Sequence, residues 1–494
     1  MKTIFFFSHS KQIKWYAVFA RAFKVCVPDA NLVLFVHGED DFKYATKFRT
    51  YDRVIDLISG FKYDQSKYPD KEQVSYKITK LEDDLNLSFF WEDIKVDRWI
   101  RAKNNSNFTI KYLNYSFEII HNAYLEYNPI LGFGESTMAV YRLAHRMFDR
   151  DRKPYIGPMS NRYSSRFYFE DDWLWKWHKC INNYYSYLQN GIPEDISNII
   201  DDQYENLVIR GIKPTAFEDF KKTNQPGYVT LRKDSLFRVF KIIRGLSKLK
   251  SEYFSNNVRY SIIESSFFMK IKRVANNYYN HYKYSRLTTS SFEIKDSYSV
   301  YFLHFQPEYT VDSLGKFYHD QVNLISNIAS SLPSNIKLFV KEHPGMVGLR
   351  ESTFYSKILE IPNVELLDHD IDSQLLIKNS KLVFSIVGTV GLEATFFNIP
   401  SIMFGEYAFS DVGTSTFCGD IWKLESLIRS KLQENIGYDS EKLSKTLLAA
   451  KYSASYPGKI PISDNTIDPF YSDEEQYKLI LKAVKEELET RKLI

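Results

Sequence analysis

The sequence predicts an α/β protein with two doubly wound lobes. Strand-like apolar runs alternate with helical stretches near the start of the chain and again, more regularly, from about residue 298 onward. This alternation is typical of parallel sheets covered by helices. The 494 residues suffice for two to four domains, at roughly 100 to 200 residues per domain. A single small binding module is therefore excluded.

The first lobe is predicted from a β-α-β opening, and its alternation resumes after an irregular stretch at 40–125. The predicted elements are strands at 2–8, 31–36, 128–133 and 154–156 and helices at 13–25 and 135–148. Pro28 ends the helix at 13–25, and the His37-Gly38 pair ends the strand at 31–36. Residues 161–225, which are rich in Tyr, Trp and acidic residues, are predicted to be mainly helical.

The second lobe has the cleaner pattern, in which five strands alternate with helices. The predicted elements are strands at 300–305, 336–341, 364–367, 382–386 and 401–404 and helices near 313–331, 349–360, 373–379 and 391–397. Ser472 and Glu475 form a predicted capping box for a last helix. Its apolar stripe is formed by Tyr477, Leu481, Val484 and Leu488.

Four segments follow from this pattern: a first lobe at 1–225, a connecting segment at 226–295, a second lobe at 296–470 and a closing helix at 471–494. Two Rossmann-like lobes with a final helix that packs back on the body describe the glycosyltransferase-B (GT-B) architecture. A ligand is expected in the cleft between the lobes, at the carboxyl ends of the strands.

Positive charge is concentrated in one part of the chain. Residues 232–287 hold 13 Lys and Arg against three acids, although the net charge of the whole chain is only +4. Arg238, Lys241, Arg244 and Lys248 flank an apolar face, which predicts a basic amphipathic helix. Such a helix either packs on the body of the protein or contacts an anionic membrane surface. The uneven charge argues against general nucleic-acid binding.

The composition also indicates a compartment. The three cysteines are far apart and have no metal-ligand spacing, so neither a disulfide framework nor a zinc site is predicted. The first apolar run covers only residues 4–7, shorter than the roughly 7 to 15 residues of a signal-peptide core. We therefore expect a cytoplasmic protein, with contact at the inner face of the membrane as an option for the basic segment.

The sharpest local signal is a turn between a strand and a helix at 384–394. Backbone N–H groups and the positive helix end would face a ligand above the strand, which is typical of a phosphate cradle. The residues assigned to it are Ser385, Gly388, Thr389, Gly391 and Glu393. The alternative is an ordinary tight turn in which Glu393 caps its own helix.

Two further strand ends carry polar residues. Lys341, His343 and Pro344 follow one strand, and Pro344 favours an extended His343 whose ring projects into the cleft. An imidazole and a lysine suit a phosphate oxygen. Gln306 and Glu308 follow another strand and are assigned to the same nucleotide-binding rim. The alternative for His343 is a purely structural role, and the alternative for Glu308 is the capping of a helix.

The stretch from about 300 to 420 resembles the bacterial capsule polysaccharide synthesis proteins. The similar motifs are Phe305-Gln306-Pro307-Glu308, Lys341-Glu342-His343-Pro344, Ser385 to Glu393, Pro400, Phe404-Gly405-Glu406-Tyr407 and Gly413-Thr414. That family includes Kdo (3-deoxy-manno-octulosonate) transferases. The resemblance implies a GT-B fold, a CMP-activated acidic sugar as donor, and nucleotide binding by His343, Pro344, Ser385, Gly388 and Glu393. No cofactor is predicted.

The first lobe departs from that family, because the Glu-Asp-Gly element of its Kdo transferases is absent from this sequence. A comparable strand end carries Glu135, predicted at a helix N-terminus as a general base for an acceptor hydroxyl or as a carboxylate favoured by the helix dipole. His9, after the first strand, is assigned to the same rim. Glu170-Asp171-Asp172 invites comparison with the metal-binding motif of GT-A transferases, but is predicted as an exposed acidic helix start.

The resulting hypothesis is a metal-independent glycosyltransferase that moves a sugar from a nucleotide donor to a capsule or lipopolysaccharide glycan. The second lobe would bind the donor, with His343 also stabilising the departing phosphate. The first lobe would bind the acceptor. Three alternatives remain open: a nucleotide-sugar 2-epimerase, a teichoic-type polyol-phosphate transferase and a non-catalytic capsule assembly partner. The acceptor, the linkage, the stereochemical course and the oligomeric state are not predicted.

Overall fold

A computed structural model describes residues 2–61, 72–97, 100, 105–172, 174–211, 267–289, 297–433, 439–461 and 464–494. The basic amphipathic helix predicted around Arg238 to Lys248 lies outside these residues. The last part of the basic segment is helix Phe267–Leu287. Among the described helices, none is both long and apolar enough to cross a membrane.

The first lobe is built on a seven-stranded sheet in the order β13-β6-β5-β4-β1-β2-β3. Its strands are β1 (Thr3–Phe7), β2 (Asn31–Val36), β3 (Arg53–Asp56), β4 (Leu131–Gly134), β5 (Tyr155–Ser160), β6 (Arg166–Glu170) and β13 (Tyr456–Pro457). The strands from β3 to β5 are parallel, whereas β6 and β13 pair antiparallel at one edge. The strands β1 and β2 are wholly buried, as their uninterrupted apolar runs require of a sheet covered on both faces.

The helices of this lobe are α1 (Gln12–Cys26), α2 (Glu39–Ala45), α3 (Tyr76–Leu85), α4 (Phe90–Val96), α5 (Ser106–Tyr127), α6 (Ala139–Arg150), α7 (His178–Asn190) and α8 (Glu194–Tyr204). Phe5 and Phe7 point to the sheet face covered by α5 and α6, and Ile4 and Phe6 to the face covered by α1. This alternation along β1 is the period of two expected of a strand.

The second lobe has a six-stranded parallel sheet in the order β12-β11-β10-β7-β8-β9. Its strands are β7 (Tyr298–Phe302), β8 (Lys337–Lys341), β9 (Val364–Leu367), β10 (Val383–Ser385), β11 (Ser401–Met403) and β12 (Ser415–Phe417). Its helices are α9 (Phe267–Leu287), α10 (Gln321–Ser331), α11 (Ser352–Leu359), α12 (Ser373–Asn379), α13 (Val390–Phe396), α14 (Leu424–Gln433) and α15 (Ser440–Ser453). The predicted alternation of this lobe is confirmed.

The chain returns to the first lobe at its end. Two helices, α16 (Asp464–Ser472) and α17 (Glu474–Thr490), follow β13 and pack on α1. Ile480, Val484 and Leu488 are buried in the same core as Ile4 and Phe6. Two Rossmann-like lobes with a returning C-terminal helix confirm the predicted GT-B architecture.

A linking cluster of apolar residues joins the two lobes. It combines residues after β5, residues of α7 and α8, residues of α13 and residues of α15. Its members include Tyr163, Trp177, Cys180, Phe396 and Leu447. The lobes are therefore fixed against each other by a shared core as well as by the returning chain.

Three local predictions are wrong. The helix predicted at 135–148 begins at Ala139, because β4 continues to Gly134 and Asp97 accepts a hydrogen bond (2.8 Å) from the Ala139 N–H. Residues 166–170 form strand β6 and not part of a helix. The last helix is capped by Asp473, which accepts from the Gln476 N–H at 2.9 Å, so that Ser472 belongs to the preceding helix.

Candidate functional site

Each sheet reverses its chain order at one place. In the first lobe β2 and β3 lie on one side of β1 and β4 lies on the other, and the second lobe repeats this around β7 with β8, β9 and β10. In open α/β sheets, ligands bind at the carboxyl ends of the strands that flank such a switch point. The candidate site therefore lies beside the ends of β1 and β4 and the ends of β7 and β10.

The second lobe's switch point is occupied by His304, which the sequence analysis missed. Its Nε2 accepts a hydrogen bond from the Ile386 N–H at 2.9 Å and lies 3.2 Å from the Ser385 hydroxyl. Burial, with nearby His343 and Arg350, lowers the pKa of His304 to about 3, so the ring is neutral. A neutral histidine thus ties the end of β10 to the segment that follows β7. The position of His304 at the switch point becomes evident only when the order of the strands in the sheet is known.

His343 follows β8, on the other side of β7, and is half-buried. Its Nδ1 accepts a hydrogen bond from the Gly345 N–H at 3.0 Å, as the cap of a short helical turn at Pro344–Met346. Burial, Lys341 and Arg350 lower the pKa of His343 to about 4. The ring is therefore neutral at pH 7 and keeps its proton on Nε2. It can donate a hydrogen bond, but it supplies no positive charge of its own.

A buried ion pair holds this strand end in place. The Glu342 carboxylate accepts hydrogen bonds from Arg350 Nε and from the Tyr355 hydroxyl, both at 2.8 Å, and from the His343 N–H at 2.6 Å. Arg350 also donates to the His304 carbonyl oxygen. One carboxylate thus positions both histidines. A substitution that removes either Glu342 or Arg350 would leave the other charge buried and unpaired, which is strongly destabilising.

The turn after β10 contains the predicted cradle residues. Gly388 has a φ of +108°, and a Cβ at that position would meet no atom within 4 Å. The Thr389 hydroxyl donates to the Glu393 carboxylate at 3.0 Å. Ser385 is fully buried and donates to the Val387 carbonyl oxygen at 2.9 Å. Gly388 and Thr389 therefore line an open turn, whereas Ser385 shapes it from inside.

Gly391 serves close packing. A Cβ there would lie 2.8 Å from the Met403 sulfur and 2.9 Å from Ser415 Oγ. The small residue lets α13 approach β11 and β12. This close contact explains why position 391 of the motif is a glycine.

Gln306 is bound within the protein. Its amide nitrogen donates to Asp312 and to the His319 carbonyl oxygen, both at 2.8 Å, and its oxygen accepts from Gln321 at 2.6 Å. Every polar group of that side chain thus has a protein partner. Glu308 is exposed, and its N–H donates to the Asp312 carboxylate at 3.2 Å. The local structure gives Gln306 a structural role.

The first lobe's switch point carries Glu135 and His9. The two follow β4 and β1, which are neighbours in the sheet with Gly134 beside Phe7. The Glu135 carboxylate accepts a hydrogen bond from Gln12 Nε2 at 3.2 Å. Glu135 lies four residues before α6, so the predicted position at a helix N-terminus is wrong. A half-buried carboxylate at the end of a strand nevertheless remains suited to proton transfer.

Glu170 differs from its prediction as an exposed helix start. It ends β6, is 7% exposed, and accepts a hydrogen bond from the Asp172 N–H at 3.1 Å. Burial, more than the neighbouring Asp171 and Asp172, raises the pKa of Glu170 to about 8. Glu170 is therefore a buried carboxyl group at a strand end and not the start of an exposed helix. Among the described residues, the grouping with metal-ligand spacing is Asp368, His369 and Asp370 after β9.

The two lobes meet along the carboxyl ends of their sheets. Arg142 of α6 is buried, lies 3.3 Å from the Ser313 hydroxyl, and stacks on Tyr309 at 5.0 Å from the ring centroid. Tyr309 and Ser313 belong to the segment that follows β7. Tyr163, after β5, packs edge-on against Phe396 of α13 at 5.8 Å between ring centroids. The strand ends of both lobes thus border a common seam.

Comparison with known proteins gives one matching family and several similar solved structures. Residues 240–417, a little over a third of the chain, match the family described as capsule polysaccharide biosynthesis protein. This match confirms the resemblance predicted from the motifs. No curated protein matches the chain.

Three solved structures are similar to this chain at low scores. A β-Kdo 2,7 transferase, KpsC of Thermosulfurimonas dismutans, is 10% identical with a TM-score of 0.30 over 68% of this chain and 80% of that one. A putative UDP-N-acetylglucosamine 2-epimerase from Listeria monocytogenes is 13% identical with a TM-score of 0.28 over 99% and 97%. HepE of Anabaena, in complex with UDP and glucose, is 10% identical with a TM-score of 0.27 over 100% of both chains. At these scores the similarities support no statement about what this chain binds.

Proposed function

We propose that this protein is a nucleotide-sugar-dependent glycosyltransferase that extends a capsule or lipopolysaccharide glycan. The observation that carries the proposal is the family match over residues 240–417. That stretch contains the strand ends of the second lobe at which His304, His343 and the Gly388 turn lie.

The donor nucleotide is assigned to the second lobe. The Gly388 turn supplies open backbone beside β10, and His343 supplies a neutral Nε2–H donor beside β8. Lys341, at the end of β8, adds a positive charge near His343. A departing phosphate gains negative charge as the sugar leaves, so these groups stabilise it more in the transition state than in the ground state. This arrangement needs no bound metal ion.

The acceptor is assigned to the first lobe. Glu135 is the proposed general base that takes the proton from an acceptor hydroxyl, and Gln12 fixes one of its carboxylate oxygens. His9 borders the same strand ends and is proposed as an acceptor contact. Because the lobes meet along their strand ends, an acceptor held here would face a donor held in the second lobe.

The donor is proposed to be a CMP-linked acidic sugar such as Kdo. This part of the proposal depends on the family resemblance around His343 and Ser385 alone. Contact with the inner face of an anionic membrane through the basic segment is proposed on its charge, 13 Lys and Arg against three acids in residues 232–287.

A thermal-shift series with CMP, UDP and GDP tests the donor assignment. A ligand present at 100 times its Kd stabilises a protein by about 2.7 kcal/mol, which is readily measured. We expect the largest shift with CMP and no change on adding EDTA. A shift with UDP alone would remove the CMP assignment, and no shift with any nucleotide would contradict the transferase proposal and favour an assembly partner.

Product analysis then separates the enzymatic alternatives. Incubation with the nucleotide sugar alone converts the donor sugar if the protein is a 2-epimerase, and leaves it unchanged if a transferase needs an acceptor. Transfer of phosphate together with the sugar or polyol would identify a teichoic-type enzyme. We expect sugar transfer without phosphate, and only when an acceptor glycan is present.

A further inference from the structure

The linker between β4 and α6 carries Glu135 and is held at three points. Gln12 of α1 donates to the Glu135 carboxylate at 3.2 Å. Asp97, which follows α4, accepts from the Ala139 N–H at 2.8 Å and so fixes the point at which the linker enters α6. The third point, between these two, is the side chain of Ser136. Three parts of the first lobe thus hold a short segment at the end of a strand.

Ser136 is held by a buried histidine of α6. Its hydroxyl oxygen lies 2.8 Å from His145 Nδ1. His145 is 3% exposed, and its ring stacks on Tyr155 of β5, with 4.3 Å between the ring centroids and 13° between the ring planes. The other ring nitrogen, Nε2, lies 3.4 Å from a carboxylate oxygen of Asp149, one turn further along α6. The orientation of the imidazole is therefore set by a strand as well as by its own helix.

These contacts decide which ring nitrogen carries the proton. The Asp149 carboxylate accepts hydrogen bonds and cannot donate one, so the proton belongs on Nε2 and Nδ1 is available as an acceptor. Burial, with the charges of Arg146 and Arg142, lowers the pKa of His145 to about 3. The ring is neutral at pH 7 and accepts the hydroxyl hydrogen of Ser136.

A serine, a histidine and an aspartate in sequence are also the components of a hydrolase nucleophile. In that chemistry the imidazole takes the serine proton and becomes an imidazolium. Burial and two neighbouring arginines oppose a charged His145 at neutral pH. The arrangement of Ser136, His145 and Asp149 therefore suits a fixed support for the linker better than a second nucleophile.

We propose that His145 is a positioning residue for Glu135 and acts through its hydrogen bond with Ser136, the next residue along the linker. A general base works only within hydrogen-bond reach of the proton that it takes, and a displacement of about 1 Å can lower turnover about 100-fold. The proposal rests on the proposed function. It assigns a role to His145 that neither the motifs nor the family match indicates.

Steady-state transfer assays test this role, with CMP-Kdo, UDP-glucose and GDP-mannose as donors and a purified capsule oligosaccharide as acceptor. His145→Leu removes the accepting nitrogen, and Ser136→Ala removes the hydroxyl. We expect each variant to lower kcat by up to about 100-fold. The KM for the donor should stay unchanged, because the donor is assigned to the other lobe. His145→Asn keeps an accepting atom and Ser136→Thr keeps a hydroxyl, so both should recover most of the loss.

Combined variants show whether the effect passes through Glu135. In the Glu135→Gln background, His145→Leu should lower the residual turnover no further, because no base is left to position. His145→Leu combined with Ser136→Ala should equal the single variants, since both remove the same hydrogen bond. An undiminished effect of His145→Leu in the Glu135→Gln background would overturn the proposal.

His121 offers a matched control on a neighbouring helix. It is a half-buried histidine of α5, which covers the same face of the sheet, and its ring lies 5.9 Å from that of Phe117. It belongs to the part of α5 that leads to the amino end of β4, away from the linker. His121→Leu should leave both kcat and KM at their wild-type values.

The outcomes separate this inference from the proposed function. Wild-type kcat in Ser136→Ala, or labelling of Ser136 by a fluorophosphonate, would overturn the positioning role while sugar transfer stands. A lower melting temperature and a higher donor KM in His145→Leu, with no recovery in His145→Asn, would show that His145 only stabilises the fold. Normal turnover in Glu135→Gln would remove the base and with it the role of His145. If the wild type transfers sugar from none of the three donors, the proposed function and this inference both fail.

Discussion

The two lobes have the same strand order around their first strand and use the resulting crevice differently. In the second lobe the crevice between β7 and β10 is closed by His304, which bonds to the backbone of the opposite strand end. In the first lobe the crevice between β1 and β4 carries a carboxylate, Glu135, held by the Gln12 side chain. The same topology thus places a structural histidine in one lobe and a carboxylate, the proposed general base, in the other.

This difference bears on the proposed donor site in the second lobe. Because His304 occupies the switch point itself, the proposed donor would be bound by the flanking elements, His343 beside β8 and the Gly388 turn beside β10. In the first lobe the segments that follow β1 and β4 are joined by the hydrogen bond from Gln12 to Glu135. Four predictions test this comparison.

The largest expected effect concerns the first lobe. Glu135→Gln keeps the size of the side chain and removes its basicity, so turnover should fall roughly 10²- to 10⁴-fold. Donor affinity should stay near the wild-type value, because the donor is assigned to the other lobe. Steady-state kinetics with calorimetry of the nucleotide checks both. Near-normal turnover would show that Glu135 is not the general base and that its role is limited to the hydrogen bond with Gln12.

The second prediction concerns His343. His343→Ala should weaken nucleotide binding about 10- to 150-fold, because a hydrogen bond to a charged phosphate contributes about 1.5 to 3 kcal/mol. His343→Asn is the matched control, since its side-chain oxygen can still accept from the Gly345 N–H. We expect calorimetry to show the same loss for both variants and denaturation to show higher stability for the asparagine. Full nucleotide affinity in His343→Asn would show that the residue matters only as a cap.

The third prediction contrasts the two histidines beside the crevices. His304→Ala leaves the Ile386 N–H without its partner, so the free energy of unfolding should fall by about 1 to 3 kcal/mol. His9→Ala, at the equivalent strand end of the first lobe, should have a smaller effect. Urea denaturation measures both. Equal losses would mean that the two crevices are held together in the same way.

The last prediction concerns the response to acid. His304 and His343 have folded-state pKa values lowered to about 3 and about 4 from 6.5, so below pH 6.5 the unfolded chain takes up protons that the folded chain does not. Stability should therefore decline as the pH falls from about 6.5 towards 4, and His304→Ala should show a shallower decline. A stability unchanged over this window would contradict the neutral state of both rings.

The sequence predicts most of the architecture where the apolar runs are sharply bounded. The strands at 31–36 and 364–367 and the helix at 373–379 are found at the predicted residues, because turn residues mark both ends. The helix predicted from Glu135 begins four residues later, since residues 135–138 cross from the sheet to the helix and Asp97, distant in sequence, caps its start. Such a cap leaves no local signal.

The candidate site was predicted only in part, because some of its residues have a local motif and others depend on the fold. His343 and the Gly388 turn have local motifs, and both lie at strand ends beside β7. The role of His304 depends on strand order, which a one-dimensional pattern does not contain. Glu170 shows the opposite error: three successive acids look exposed, yet a buried antiparallel strand raises the pKa of the first to about 8.

The return of the chain to the first lobe has a consequence for synthesis on the ribosome. One face of the first sheet is completed by Ile480, Val484 and Leu488, which emerge a little over 300 residues after β6. At about 5 to 20 residues per second, that interval is roughly 15 to 60 s. During this time α1 exposes the apolar stripe that α17 later covers. The nascent first lobe is therefore expected to need chaperone protection until the last helix is made.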